Sequence, residues 1–572
     1  NKDWGRAHIA DSPGGKMVSQ KMEPIRVVDT LTPKIITEPK PGVYVFDTEQ
    51  NLAGWASLTV EGERGREITL KFAETLYDDG LVNQENLRNA KATDTYILKG
   101  EGVETWEPKF TYHGFRYVQV EGLPHAPKVG DIRVKIVRNA VAPVGKFHCS
   151  NELLNRIHRM VVATEASNLH GVPTDCPQRD ERMGYTGDGQ VFARTGAYNF
   201  DTNDFWKNFL RDLELGQLDN TEGYVCATVP QTGPAGIGFI SMLGWGNAVT
   251  ILPEMLYQQF GDEEALPRQY ESMKLFVEAE IRKMGKKNLW IGPSLGDWLA
   301  MGKGIAWQAM HNNPVSNAFI VHDLKVISET AERLGKKADA DRYRRQLEAT
   351  TKAYIEKFVS KKGIVAKDYQ SAYIMALKFV LPEGELRELV KKNFAANIRK
   401  NGLQTGFFAT EHLLPLLVEA GETELAYDIL LQEGCPGWMY QIKCGATTTW
   451  ERWDALKPDG TVNEEKMAGS GDNMVSFNHY AFGSVGEFYY QYILGIKPQK
   501  PGFAELHFEP YPDRRLGGVS GSYLSRAGKI ESSWKYEEDG CHISLNTPVK
   551  SEVVLPNGQR ETVEEGTYQW LC

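Results

Sequence analysis

Residues 150–167 read "SNELLNRIHRMVVATEAS". The apolar residues Leu153, Leu154, Ile157, Met160 and Val161 recur at intervals of three and four, which lines one face of an α-helix. Asn151 stands just ahead of them, a residue type that starts helices. The same spacing returns in 264–284, 317–336, 339–359, 411–432 and 478–496, with Asn, Gly or Pro at the ends. From about residue 148 to 492 this makes roughly a dozen helices, too many for a simple bundle. Helical hairpins arranged in a ring, an (α/α) toroid, fit that count.

On either side the period changes to two. Between about 26 and 140 lie "GVYVFDTE" (42–49), "GWASLTVEG" (54–62), "REITLKFAETL" (66–76), "TDTYILKG" (93–100) and "FRYVQVEG" (115–122). Each is a short alternating run closed by Gly, Asp or Pro, the pattern of strands in a β-sandwich. After "GIKPQKPGF" (495–503) strands return in 529–546 and 551–566, with EEDG and PNG as hairpin turns. The sequence therefore predicts a tail over 1–25, an N-terminal β-sandwich over 26–143, a helical toroid over 144–493 and a C-terminal β-sandwich over 494–572.

Bulk properties narrow the function. A chain of 572 residues implies roughly two to four domains. With 41% apolar and 24% charged residues it has the balance of a globular protein. A net charge of -10 without a basic block gives no footprint for nucleic acid, and no apolar run is long enough for a membrane span. Seven scattered cysteines without a CxxC pair argue against a disulfide framework or a zinc ribbon. HExxH and phosphate-loop patterns are absent, so neither metal nor cofactor is expected. The N-terminal "NKDWGRAHIADSPGG" has no apolar h-region and reads like the tail of something earlier.

In a helical ring the mouth is walled by the loops joining helices, and four of these loops are crowded with polar groups. The densest is "VPTDCPQRDERMGYTGDGQ" (172–190); the others are "GPSLGDWLAMG" (292–302), "GATTTWERWD" (445–454) and "SFNHYAFG" (476–483). Aromatic faces interleaved with carboxylates suit a neutral, hydroxyl-rich ring, whose C–H face packs on an indole. Cleaving a glycosidic bond takes two carboxyls in different protonation states. The first loop offers Asp175, Asp180, Glu181 and Asp188; the third offers Glu451 and Asp454. Only a closed ring brings two such distant clusters face to face.

The stretch "DCPQRDERMGYTGDGQ" resembles the signature of the bacterial α-L-rhamnosidases of glycoside hydrolase family 78. "NLAGWASLTVEGERG", "FAETLYDDGLV" and "TYHGFRYVQVEG" resemble the sandwich preceding that family's catalytic domain, and "GATTTWERWD" and "SFNHYAFGSVGEF" its later signatures. Nearly the whole chain from about residue 22 is covered. The resemblance implies an (α/α)6 catalytic toroid flanked by β-sandwiches, and inverting hydrolysis that releases terminal α-L-rhamnose. It implies Glu181 as general acid and Glu451 as general base, with carboxyls about 6.5–9.5 Å apart. Asp175, Arg179 and Asp188 match residues that hold the rhamnose hydroxyls, and His479 a sugar-binding histidine; Tyr185, Trp245, Trp298 and Trp450 would line the pocket. The expected partner is a rhamnose-containing glycoside or glycan, the expected state a monomer or homodimer, and the favoured location a bacterial periplasm or the outside of the cell.

Two positions depart from the family pattern: Tyr185 stands where Trp is usual, in "GYTGD", and Asn247 where Asp is usual, in "GWGNA". Both bear on substrate choice more than on reaction type. Arg182 and Asp180 read as a structural ion pair, and Cys176 as a small buried filler. A lyase on the same toroid, acting on a rhamnose–uronate linkage, and a catalytically silent sugar-binding protein are the rival readings. The presence of both Glu181 and Glu451 speaks against each.

Overall fold

The computed structural model describes residues 4–12, 14–218, 220, 222–231, 242–292, 294–463 and 475–572. Of the expected tail, residues 1–3 and 13 lie outside the described residues, and Ile25 already begins the first strand. Pro293 of the second polar loop also lies outside them.

Eight of the N-terminal strands form one antiparallel sheet, and Thr75–Leu76 and Val82–Asn83 pair separately. Its spine is the 19-residue strand Val43–Glu61. Register shifts between Asp47 and Leu52, where Glu49 takes a positive φ of 60°, and such an irregularity bends a strand. The first half of the strand pairs with Ile35–Lys40 and His113–Glu121, the second with Ile132–Asn139 and Val103–Trp106. Phe46, Leu58, Phe72, Phe115 and Ile132 fill a core belonging to this sheet alone.

The central region is helical. Asn151 caps Glu152–Ser167 by accepting the Leu153 N–H at 3.1 Å, a contact worth about 1 kcal/mol. Along the chain, helices with one wet face alternate with helices buried nearly all round. Lys337–Phe358 buries only Ala340, Tyr343, Thr350 and Tyr354, whereas Thr186–Asn199 buries every residue except Arg194. A helix without a polar stripe must lie inside the fold. The buried segments pack in sequence: Thr186–Asn199 on Ala248–Phe260, then Asn313–Arg333, Gln370–Met375, Phe407–Glu419 and the turn Ala481–Val485, which returns to Thr186–Asn199. All of them begin at the end of the region that carries the polar loops.

Two of the expected helices take other forms. The stretch 411–432 breaks into Phe407–Glu419 and Thr423–Leu430, because Gly421 turns the chain with φ 78°. The stretch 478–496 is helical over 481–493 but of mixed winding, a 3-10 segment Ala481–Val485, an α turn Gly486–Phe488 and a π segment Tyr489–Ile493, buried almost throughout.

The C-terminal strands form a five-stranded and a four-stranded sheet. The five-stranded sheet takes its first strand, Gly145–Cys149, from ahead of the helical region, a pairing the sequence did not suggest. One continuous apolar cluster runs from the helices into these sheets: Trp534 donates its indole N–H to the Ile493 carbonyl at 2.7 Å, and the Tyr198 and Tyr523 rings lie 4.9 Å apart.

The N-terminal sheet attaches differently, through polar groups and close backbone approach. Gln50 donates to the Thr447 carbonyl at 2.9 Å, and the Asn51 N–H to the Thr447 hydroxyl at 2.9 Å. Buried Glu74 accepts the Phe477 N–H at 3.2 Å and the amides of Asn51 and Asn86 at 2.9 and 2.8 Å. Gly114 lies so near the loop at 177–178 that an added Cβ would meet the Gln178 nitrogen at 2.7 Å. Gly114→Ala is therefore expected to cost about 1–3 kcal/mol by overpacking, read as a lowered thermal midpoint. Gly216→Ala, in a helix with no atom near its Cβ, should instead gain up to about 1 kcal/mol.

Candidate active site

The loop from 168 to 185 is folded tightly upon itself. Asp175 and Met183 exchange two hydrogen bonds: the Asp175 N–H donates to the Met183 carbonyl at 3.0 Å, and the Met183 N–H to the Asp175 carboxylate at 2.8 Å. Arg182 takes a positive φ of 51° and donates to the carbonyls of Tyr112, Gln178 and Arg179 at 2.7, 3.1 and 3.0 Å, with its guanidinium 5.0 Å from the Tyr112 ring centroid. Arg182 is structural, as expected, but Asp180 is not its partner. Asp180 instead meets Arg88 and Asn89 of the N-terminal sheet.

This packing aims Arg179 inward. Its side chain is 1% exposed and lies among three carboxylates. Nη1 and Nη2 donate to the two oxygens of Glu451 at 2.6 and 3.0 Å. Nε and Nη2 reach Glu181 Oε2 at 2.6 and 2.5 Å, and Nη2 is 3.5 Å from Asp175 Oδ2. Glu451, 272 residues away in the chain, is fixed by its backbone N–H to the Ser476 carbonyl at 2.9 Å. Burial alone would raise the Glu451 pKa, but the charge and hydrogen bonds of Arg179, aided by His479, hold it down to about 2. Asp175 goes the other way: burial and the neighbouring Glu181 raise it to about 7 against the pull of Arg179.

The other expected residues fall into two groups. Asp188, in the first turn of Thr186–Asn199, pairs with His479 Nε2 at 3.1 Å. Burial disfavours the charged imidazole, yet the hydrogen bond and charge of Asp188 raise the His479 pKa. Half-buried Tyr185 donates its hydroxyl to Glu181 Oε1 at 3.3 Å, so the hydroxyl that distinguishes it from Trp touches a central carboxyl. Trp245 stands edge-on to Trp298, ring centroids 6.5 Å apart, and approaches Gly187 so closely that a Cβ there would meet its ring at 2.7 Å. Trp298 is half-buried. Trp450 is buried edge-on against Phe477 and Tyr440, and its backbone N–H donates to Gln441 at 3.3 Å.

Asn247 sits beneath this wall. Its amide donates to Asp323 and, at 3.4 Å, to Glu280, and accepts the Gly244 N–H at 2.6 Å. An aspartate there would put a third carboxylate beside two buried ones, so the amide suits the place. Asp297 caps the backbone N–H groups of Gly406, Phe408 and Ala409 at 2.7, 2.8 and 3.1 Å and is a structural residue.

Sequence reasoning missed the contribution of the N-terminal sheet. Arg88, which follows the turn Glu85–Leu87, approaches Glu181 Oε2 at 3.4 Å and Asp180 at 3.6 Å. Glu74, pushed by burial to about 7 despite its hydrogen-bond donors and Arg179, backs the Phe477 strand of loop. Nothing in their local pattern separates these residues from any strand-turn arginine or glutamate. The carboxylates of Asp175 and Glu181 and the thiol of Cys176 come within 4.8 Å of one another, a spacing a cation could use. Arg179 already supplies the positive charge there, and burial followed by Asp175 keeps the Cys176 thiol protonated.

A lowered pKa stabilises the fold above the unfolded value and loses that contribution as pH falls through the folded one. For Glu451 the window runs from about 4.5 down to about 2. Arg179→Met leaves buried carboxylates uncompensated, which should cost about 3–5 kcal/mol at pH 7. Denaturant unfolding at pH 7, 5 and 3 should show the gap to wild type narrowing at the lowest pH; a constant gap would mean that the pairing with Glu451 contributes nothing.

Comparison with known proteins places the chain in a family. The model described as the bacterial alpha-L-rhamnosidase 6 hairpin glycosidase domain matches residues 142–493. Models for the concanavalin-like and C-terminal domains of the same enzymes match 37–138 and 495–569. An α-L-rhamnosidase of Streptomyces avermitilis is 35% identical over 562 residues, covering 97% of this chain and 52% of that protein. One from Alteromonas sp. strain LOR is 34% identical over 570 residues, covering 97% and 60%. The crystal structure of the Streptomyces avermitilis enzyme complexed with L-rhamnose superposes with a TM-score of 0.91 at 33% identity, covering 97% of this chain and 54% of that one. That of the Aspergillus terreus enzyme superposes with a TM-score of 0.89 at 32% identity, covering 96% and 64%. The chain thus spans between half and two thirds of the length of these relatives. It belongs to the bacterial α-L-rhamnosidase family.

Proposed function

We propose that the protein is an inverting glycoside hydrolase that removes terminal α-L-rhamnose from rhamnosides or rhamnose-containing glycans. The observation that carries this reading is the meeting of Glu181 and Glu451 on one buried guanidinium, within a chain that belongs to a rhamnosidase family. We read the helical region as a closed (α/α)6 toroid between two β-sandwiches, with divisions near 143 and 494. The succession of buried segments that returns to its start supports the ring, although Gly145–Cys149 crosses to the C-terminal sheet.

In the proposed reaction Glu181 gives its proton to the glycosidic oxygen as the bond from the anomeric carbon to that oxygen breaks. Glu451 takes a proton from a water that forms the new bond on the opposite face, so the product is β-L-rhamnose. The roles follow from the surroundings. Glu451 is deeply buried and held ionised by Arg179, which suits a base. Glu181 has a side chain 17% exposed, within reach of a departing group. Asp175, Arg179, Asp188 and His479 would hold the sugar hydroxyls, with Tyr185, Trp245 and Trp298 against the ring and Trp450 beside Glu451.

NMR-monitored hydrolysis of p-nitrophenyl and methyl α-L-rhamnopyranosides tests this. β-L-Rhamnose should appear first. Glu451→Gln should lose about 10²–10⁴-fold on both substrates, while Glu181→Gln should lose much more on the methyl glycoside, because p-nitrophenolate departs without a proton. No release of rhamnose from either, or α-L-rhamnose as first product, would refute the reading.

A further inference from the structure

Glu181 is held from two sides, and only one of them belongs to the helical region. Arg179 approaches from below. The other cation, Arg88, comes from the N-terminal sheet, 93 residues earlier in the chain. Three observations set Arg88 apart from a surface arginine. Its backbone has φ 55° and ψ −115°, a conformation that L-residues avoid and that persists only when the surroundings impose it. Its side chain is 13% exposed and spans two carboxylates, Nη2 to Glu181 at 3.4 Å and Nη1 to Asp180 at 3.6 Å. The neighbouring Asn89 secures the same carboxylate of Asp180 twice, from its backbone N–H at 3.3 Å and its amide at 3.1 Å.

The turn is itself anchored to the loops of the helical region. Asn86 bonds Glu74 at 2.8 Å and the Val475 carbonyl at 3.4 Å, and Glu74 accepts the Phe477 N–H at 3.2 Å. Glu181 therefore stands between a buried arginine shared with Glu451 and a second arginine tied through Asp180 to another domain. The second contact is the longer one, so it can orient the carboxyl without locking it.

We propose that Arg88 is a positioning residue for Glu181: the N-terminal sheet completes the reaction centre by holding the proton-donating carboxyl towards the leaving group. This rests on the assignment of Glu181 as the acid. Asp180 and Asn89 then serve as the anchor of Arg88 rather than as an incidental surface cluster.

The test is steady-state kinetics of the full chain on methyl α-L-rhamnopyranoside, for wild type, Arg88→Met, Arg88→Lys and Glu181→Gln, with thermal midpoints measured in parallel. Arg88→Met should lower kcat about 10- to 100-fold with KM changed less than about threefold. Arg88→Lys should lower kcat several-fold, because one ammonium cannot bridge two carboxylates as a guanidinium does. If Arg88→Met has the kcat of wild type, or only a lowered thermal midpoint, the positioning role is wrong. If Arg88→Met does not fold, Arg88→Lys decides: wild-type kcat overturns the proposal. Inactive wild type, or a fully active Glu181→Gln, would instead overturn the assignment of the reaction itself.

Discussion

Everything at the centre of this molecule depends on one buried charge. Arg179 is almost wholly out of water, and a guanidinium pays heavily for that unless carboxylates replace the lost solvent. Glu451, Glu181 and Asp175 do so, the first in a two-pronged pair. Planar geometry is what allows a single side chain to hold carboxylates on adjacent edges. The arrangement also sets the proton affinities of Glu451 and Asp175 apart, burial raising the second. Glu451, which receives two donors, is pulled far down, while Asp175, with a longer contact and a like charge beside it, is pushed up.

The rest of the architecture brings those groups together and keeps them there. Glu451 and Glu181 come from loops preceding the last and first buried segments, which touch only because the succession of segments returns to its start. The C-terminal sheets are fused to the helices by a shared apolar core, so their role is scaffolding. The N-terminal sheet has its own core and reaches the helices mostly through polar side chains. An apolar interface would be indifferent to the site; a polar one that includes Glu74, Asn86 and Arg88 extends the site's hydrogen bonding into another domain.

The periodicity of the chain disclosed the order of sheet, helices and sheet, because burial on one face is a local property of sequence. It failed where context overrules the local pattern. The stretch 478–496 is helical as its spacing suggests, but its near-complete burial goes with a winding that changes from 3-10 to π along its length. The strand Gly145–Cys149 has its partner some 370 residues later, beyond the reach of any window. The crowded loop at 172–190 was legible as a site from composition, and Arg182 as structural, yet Arg182 secures backbone carbonyls rather than Asp180. Arg88 and Glu74 gave no signal because their meaning lies in what they face across a domain boundary.

The claim that Arg179 organises the pair is tested most directly by titrating the Glu451 carboxyl itself. Carbon-13 NMR of protein labelled at the glutamate carboxyls, with Glu451→Gln identifying the resonance, would follow its ionisation from pH 7 downward. The account predicts a carboxylate that remains ionised at pH 4 and begins to take up a proton only as pH approaches the low value imposed by Arg179, about 2. A resonance that titrates at pH 5 or above would mean that burial outweighs the guanidinium, and that Glu451 is not held ready as a base.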